Sequence, residues 1–190
     1  MVDTRARKAI LPVSLLLLLF LFVYACVPKP ITDLRPTRVA RVPASALPVS
    51  NDLRDTLIRR GEFLWKVSLA GDANWIREIR RHELNSYPMI VRCDDRDSGI
   101  FGLGPYAGPV PVTYQGKGFQ DYQPTSSIEQ YDVYLPETGR YLSEADFNAP
   151  MPSYDLGRQS MTLCIRLAGG AMDGAYGRSN EVRVVVGRRP

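Results

Sequence analysis

The chain has a single histidine, His82, and only three cysteines in 190 residues. Its four lysines are Lys8, Lys29, Lys66 and Lys117. One histidine excludes a zinc-protease helix, which needs a second histidine four residues on from His82-Glu83. No Gly-x-Ser-x-Gly elbow exists to give His82 a nucleophilic serine, so a helix-surface histidine is the simpler reading. Positive charge comes almost entirely from arginine, a bias that suits GC-rich coding better than nucleic-acid binding. The net charge is +4, and Arg5, Arg7 and Lys8 all precede Ala9. The chain beyond Lys8 is nearly neutral, with little electrostatic support for a nucleic-acid partner. No internal repeat is visible.

Other chemistry-bearing patterns are equally sparse. Asp95, Asp97 and Gly99, with Asp94, carry a trace of a calcium loop, but Tyr106 stands where the bidentate glutamate belongs. A solvated acidic turn is the plainer reading. Gly102-Leu103-Gly104 with Gly108 evokes a phosphate cradle only superficially, since Pro105 follows and no helix opens after it. Paired carboxylates for glycoside chemistry are available in Asp121, Glu129, Asp132 and Glu144, and nothing in their spacing selects a pair. The expectation is no catalytic residue, no cofactor and no metal.

What the sequence does have is one long apolar run. Arg5, Arg7 and Lys8 precede Ala9–Ala25, interrupted only by Pro12 and Ser14, and a basic flank is retained on the cytoplasmic side. The run is long for a secretory signal and slightly short of the roughly 20 residues that span a bilayer. It ends in Val23-Tyr24-Ala25-Cys26, which resembles the lipobox of bacterial lipoproteins, with Tyr24 a departure from the usual small or aliphatic residue. The resemblance covers residues 1–26 alone. It implies diacylation of the Cys26 thiol, cleavage after Ala25 and acylation of the new amine. Three acyl chains make attachment near-permanent, at ~0.8 kcal/mol per buried methylene. Val27 after the cysteine favours the outer over the inner membrane under the family's sorting rule. An uncleaved transmembrane anchor is the alternative.

Removal of residues 1–25 leaves enough chain for one domain with a real core. Cys93 and Cys164 then remain as an even pair in an oxidising, periplasm-facing compartment. Both lie in strand-like segments, Met89–Cys93 and Met161–Arg166. A Cys93–Cys164 disulfide is expected, worth roughly 3–4 kcal/mol in the chain-entropy model; two separate buried thiols are the other possibility.

Residues 27–50 read as a proline-rich tether punctuated by Pro28, Pro30, Pro36, Pro43 and Pro48. Extended proline-rich chain at ~3.1 Å per residue would hold a domain up to roughly 70 Å from the bilayer. A single periplasmic domain follows over 51–190, with helices in 51–84 and a β-sandwich over 87–190. From Phe63 a helical reading to about residue 69 competes with strand alternation, and the helical one is preferred. A second short helix is expected from Asp72 to Leu84, with a basic outer face that includes Arg77 and Arg81. Strands are expected at Tyr87–Cys93, Val110–Tyr114, Ile128–Leu135, Arg140–Leu142, Ser160–Leu167 and Glu181–Val186. Residues 94–108 and 143–158 read as irregular, and 128–142 as a hairpin. The closing pair is similar to the last hairpin of immunoglobulin-like or fibronectin-like sandwiches, over about 30 residues and on generic motifs. The fold class is α+β, mainly β: an antiparallel sandwich preceded by one or two short helices and an N-terminal anchor.

Seven tyrosines fall between Tyr106 and Tyr154. Tyrosine pairs a large contact area with a polar tip, which suits binding loops. Tyr106, Tyr114, Tyr122, Tyr131 and Tyr134 are therefore candidate binding residues, with Tyr106 and Tyr122 expected at the surface. Strand packing is the competing use of the same residues. The functional expectation is a non-enzymatic, membrane-anchored envelope lipoprotein that binds another protein, as part of an envelope or secretion assembly or as an immunity-type protein. A membrane-tethered hydrolase of peptidoglycan or lipid is the alternative.

Overall fold

The sequence Arg35–Pro43 alternates small or branched residues with arginine, and it forms the first strand, β1. The computed structural model describes residues 30–48, 52–141, 152–171 and 176–188. The apolar run Ala9–Ala25 and Cys26 lie outside them, and no helix among the described residues is long and apolar enough to cross a membrane. Strand β1 corrects the tether expected at 27–50. Pro36 and Pro43 are compatible with a strand here because β1 is the edge of its sheet, where a missing N–H need not cost a ladder bond. Upstream, Ile31 and Leu34 are buried to 2% and 3% exposure.

The remaining strands are β2 (Phe63–Asp72), β3 (Asn85–Arg92), β4 (Leu103–Ala107), β5 (Val110–Pro111), β6 (Ile128–Pro136), β7 (Thr138–Arg140), β8 (Ser153–Asp155), β9 (Ser160–Gly170), β10 (Tyr176–Arg178) and β11 (Val182–Gly187). The helices are α1 (Asp52–Arg59) and α2 (Asn74–Arg81), with a 3-10 turn at Ala44–Ala46. One sheet has the order β1-β2-β6-β4-β5. In the other, β9 is flanked on one side by β3 and on the other by β10 and β11. All pairings between these strands are antiparallel, so the mainly β, sandwich-type fold holds.

The inward faces interleave to form one core. Val67 and Leu69 of β2 and Tyr131, Val133 and Leu135 of β6 meet Leu163, Ile165 and Leu167 of β9 and Val182, Val184 and Val186 of β11. Alternation puts Leu64, Tyr106 and Tyr134 on the opposite face of the first sheet, where Ala44, Leu47 and Leu57 cover them.

Helix does not continue to residue 69. Helix α1 ends at Arg59 and the chain turns at Gly61, whose φ of +66° is the left-handed conformation that ends helices, and Phe63–Asp72 pairs on both sides as β2. The expected hairpin over 128–142 is also corrected. Thr138–Arg140 pairs with Ser153–Asp155 rather than with β6. The glycine-rich 94–108 segment contains β4, a strand whose register with β6 shifts between Leu103 and Tyr106.

The two poles of the sandwich differ. β1 starts beside Ile31 and Leu34, and β2 returns to end at Asp72, whose backbone N–H donates to Asp33 Oδ1 at 3.1 Å. Helix α2 then carries the chain across this pole to β3, burying Trp75, Ile76 and Ile79. At the far pole lie Pro43, Phe63 and Pro136, closed by the β8–β9 turn. There Leu156 N–H donates to the Glu137 carbonyl at 2.8 Å, and Arg188 N–H to the Leu156 carbonyl at 2.9 Å. Gly187 is required at this closure: its φ is +106°, and a Cβ would sit 2.2 Å from the Gln159 carbonyl oxygen.

Candidate functional site

The tyrosines serve packing more than display. Tyr106 is 6% exposed, against the surface position expected of it, and it meets Tyr134 edge-on with centroids 5.8 Å apart. Tyr131 is fully buried, and its hydroxyl donates to the Asp72 carbonyl at 2.9 Å. Tyr122 is half-buried, and its hydroxyl donates to Glu129 Oε2 at 2.9 Å. Tyr114 is half-buried too, beside Glu83. A tyrosine whose hydroxyl finds a partner inside can sit in a core, and strand β4, hidden in the glycine-rich stretch, is what draws Tyr106 inward.

Cys93 and Cys164 are joined in a disulfide with Cα atoms 5.1 Å apart. Because Val91 pairs with Cys164, the bond links neighbouring strands of one sheet rather than the two sheets. Cys26 falls outside the described residues, as does Glu144. His82 is 10% exposed at its side chain, and its Nε2 lies 3.5 Å from Glu78. Asp95 accepts from Ser98 Oγ at 2.5 Å, and Asp94 is occupied by Arg92. No metal-binding cluster of acids, histidines and cysteines occurs among the described residues.

Of the four carboxylates considered for acid–base chemistry, Asp132 and Glu129 lie on opposite faces of β6. Asp132, 3% exposed, accepts from Ser68 Oγ at 2.7 Å and Gln130 Nε2 at 3.0 Å, and its other oxygen lies 2.6 Å from Lys66 Nζ. Burial works against the charge on Lys66, but the hydrogen bond and charge of Asp132 outweigh it and raise its pKa. The group lines a cleft of about 260 Å³ with Arg38 and Tyr134. Every oxygen of the carboxylate is engaged, and Ser68 is itself 3% exposed. The network therefore reads as a polar tie across β2 and β6, not as an activated nucleophile, which would need a free base and an approachable hydroxyl.

Another concave surface lies at the far pole. A cleft of about 590 Å³ opens between the sheets, lined by Arg41, Trp65, Glu137, Thr138, Asp155, Gly157, Arg158 and Arg188. Its geometry follows from strand ends. Arg41 and Trp65 are register partners on β1 and β2, Glu137 follows β6, Asp155 ends β8, and Arg188 follows β11. Arg41 donates to Glu137 from Nε at 2.7 Å and from Nη2 at 2.9 Å, and its guanidinium lies 3.7 Å from the Phe63 ring centroid. The Glu137 hydrogen bond raises the Arg41 pKa above its ordinary value. Arg158 pairs with Asp155 at 3.2 Å. Three arginines against two carboxylates leave one positive charge beside a partly buried indole. Across the Leu156 turn, a second cleft of about 430 Å³ is lined by Arg92, Cys93, Tyr141 and Thr162 among others. Sequence reading missed this pole, because Arg41 and Glu137 are 96 positions apart and only the strand crossings unite them. No protein-family model, curated protein or solved structure matches this chain.

Proposed function

We propose that the chain is a non-enzymatic, membrane-anchored envelope lipoprotein, acylated at Cys26, that binds another protein of the envelope through the Arg41–Arg158–Arg188 cleft. The observation that carries this reading is the cleft itself. It is concave, is lined by both polar groups and the Trp65 indole, and keeps an arginine surplus at the pole opposite Ile31 and Leu34. Arg41 and Arg158 already face Glu137 and Asp155, so Arg188 supplies the surplus guanidinium, which suits a carboxylate of the partner in two-pronged geometry. The tyrosine-rich segment supports this reading differently from what its composition suggests, by building the sheet that holds Glu137 in place.

The test is photo-crosslinking in cells from a photoreactive residue at Thr138, on the cleft wall. One discrete protein adduct is expected, and Arg158→Glu with Arg188→Glu should abolish it while the circular dichroism spectrum is unchanged. An adduct indifferent to the charge reversal, or none at all, defeats the cleft as the binding surface. Metabolic labelling with a palmitate analogue tests the anchor separately; Cys26→Ser should remove the label.

A further inference from the structure

Pro30, the first described residue, is four positions on from Cys26, and Ile31 is already buried. We infer that the α2 pole of the sandwich is held against the bilayer surface as a lipid-headgroup contact, and that the arginine cleft is thereby turned away from the membrane. This rests on the acylation of Cys26 proposed above.

The argument is one of length. Four residues of fully extended chain span at most about 14 Å, so Pro30 stays within that distance of an acylated Cys26. The leash cannot be lengthened further without breaking buried contacts. Asn180 N–H donates to the Ile31 carbonyl at 2.8 Å, Ile31 bridges Ser179, and Leu34 is bonded through both backbone groups to the Asn180 side chain. Acyl chains fix the cysteine at the interface. The surface around Pro30 is then pressed to the headgroups.

That surface is a continuous pole. Asp72 N–H donates to Asp33, Ala73 N–H donates to the Ser127 carbonyl at 2.9 Å, and Asp72 is opposite Ile128 in the ladder. Ile128 is 48% exposed, an apolar side chain at the end of the β2–β6 ladder. Asp33 and Asp72 offset Arg35 and Arg77, so the contact is imposed by the leash and not by headgroup charge. The nine residues of β1 rise ~3.3 Å each. Arg41 of the cleft is seven residues on from Leu34, so the cleft stands on the order of 20 Å farther from the bilayer than Leu34, facing components beyond it.

The experiment uses the full acylated protein in vesicles of a zwitterionic lipid, read by hydrogen–deuterium exchange against the same protein in detergent. Flotation with the vesicles is checked first. Peptides covering 30–34, 73–81 and 126–129 should exchange several-fold more slowly on the vesicles, with 155–160 and 185–188 unchanged. Inserting about 20 flexible Gly/Ser residues between Lys29 and Pro30, a spacer with a root-mean-square span of about 25 Å, should abolish the protection while flotation persists. Floating protein with equal exchange at both poles, protection at the cleft, or protection that survives the insertion would each overturn the inference. Failure to float would instead overturn the anchor reading, and the orientation with it.

Discussion

Leu34 and Asn180 are joined by two hydrogen bonds across the sandwich: Leu34 N–H donates to Asn180 Oδ1 at 2.8 Å, and Asn180 Nδ2 donates to the Leu34 carbonyl at 2.9 Å. A side-chain amide here does the work of a strand partner. It lets the chain pass from Ile31, bridged to Ser179 beside one sheet, into β1 of the other without stranding buried backbone groups. Leu34 is 3% exposed, and an unsatisfied buried donor or acceptor costs ~1–3 kcal/mol. Asn180→Ala should therefore lower unfolding stability by about 3 kcal/mol in urea titration. Ser126→Ala, at an exposed turn, should stay within about 0.5 kcal/mol. Equal effects of the two substitutions would remove Asn180 as the tie between sheets.

The Cys93–Cys164 bond closes a separation of 71 residues between strands that are already neighbours. Its stabilisation lies mainly in the unfolded chain, so reduction should leave the native circular dichroism intact. It should lower the urea midpoint by the equivalent of about 4 kcal/mol. Intact-mass measurement under non-reducing conditions, after thiol alkylation, should find neither cysteine modified. Two alkylated thiols in the native protein would contradict the bond.

How much of this was legible in sequence depends on the range of the determining interaction. Val182, Val184 and Val186 alternate with polar residues, and that period alone places β11 against a core. Cys93 and Cys164 declared themselves through strand-like neighbours. The N-terminal segment did not, because Pro36 and Pro43 look the same in a tether as on a sheet edge. The pairing of β1 with β2 and the burial of Ile31 and Leu34 distinguish the two. Phe63–Asp72 carried both periods at once, and tertiary pairing with β1 and β6 decided for strand. The tyrosines left binding and packing both open, because composition reports a polar tip but not whether a carbonyl such as that of Asp72 waits inside for it. The cleft had no local signal, since its charged residues are ordinary surface types until the strand ends bring them together.

Lys66 and Asp132 form the most consequential ion pair among the described residues. Their side chains are 27% and 4% exposed, with 2.6 Å between Nζ and Oδ2. Removing one partner leaves the other charge buried and uncompensated, which costs ~3–5 kcal/mol. Lys66→Met should destabilise by about 3 kcal/mol, and the double change Lys66→Met with Asp132→Asn should recover at least half, because Asn still accepts from Ser68. A denaturation cycle over the four proteins measures the coupling. Additive losses would mean that the two groups do not sense one another.

The buried phenols set the alkaline limit. Burial, with Glu129 as a hydrogen-bond partner, pushes Tyr122 up to about 12. Burial, with Tyr141 beside it, does the same to Tyr154. Burial drives Tyr131 above the usual tyrosine range as well. A pKa raised in the folded state gives stability that is complete below the unfolded value of ~10 and is lost as pH rises through the folded one. Lys66, also raised, acts in the same direction. Stability should thus be insensitive to these groups at neutral pH. It should fall above pH ~10 by up to about 1.4 kcal/mol per pH unit for each such group still protonated in the fold. Phenolate absorbance should titrate in two stages, the later one coinciding with loss of tertiary structure. A single folded-state step near pH ~10 would show all the phenols open to water and would return the tyrosines to the role of a binding surface.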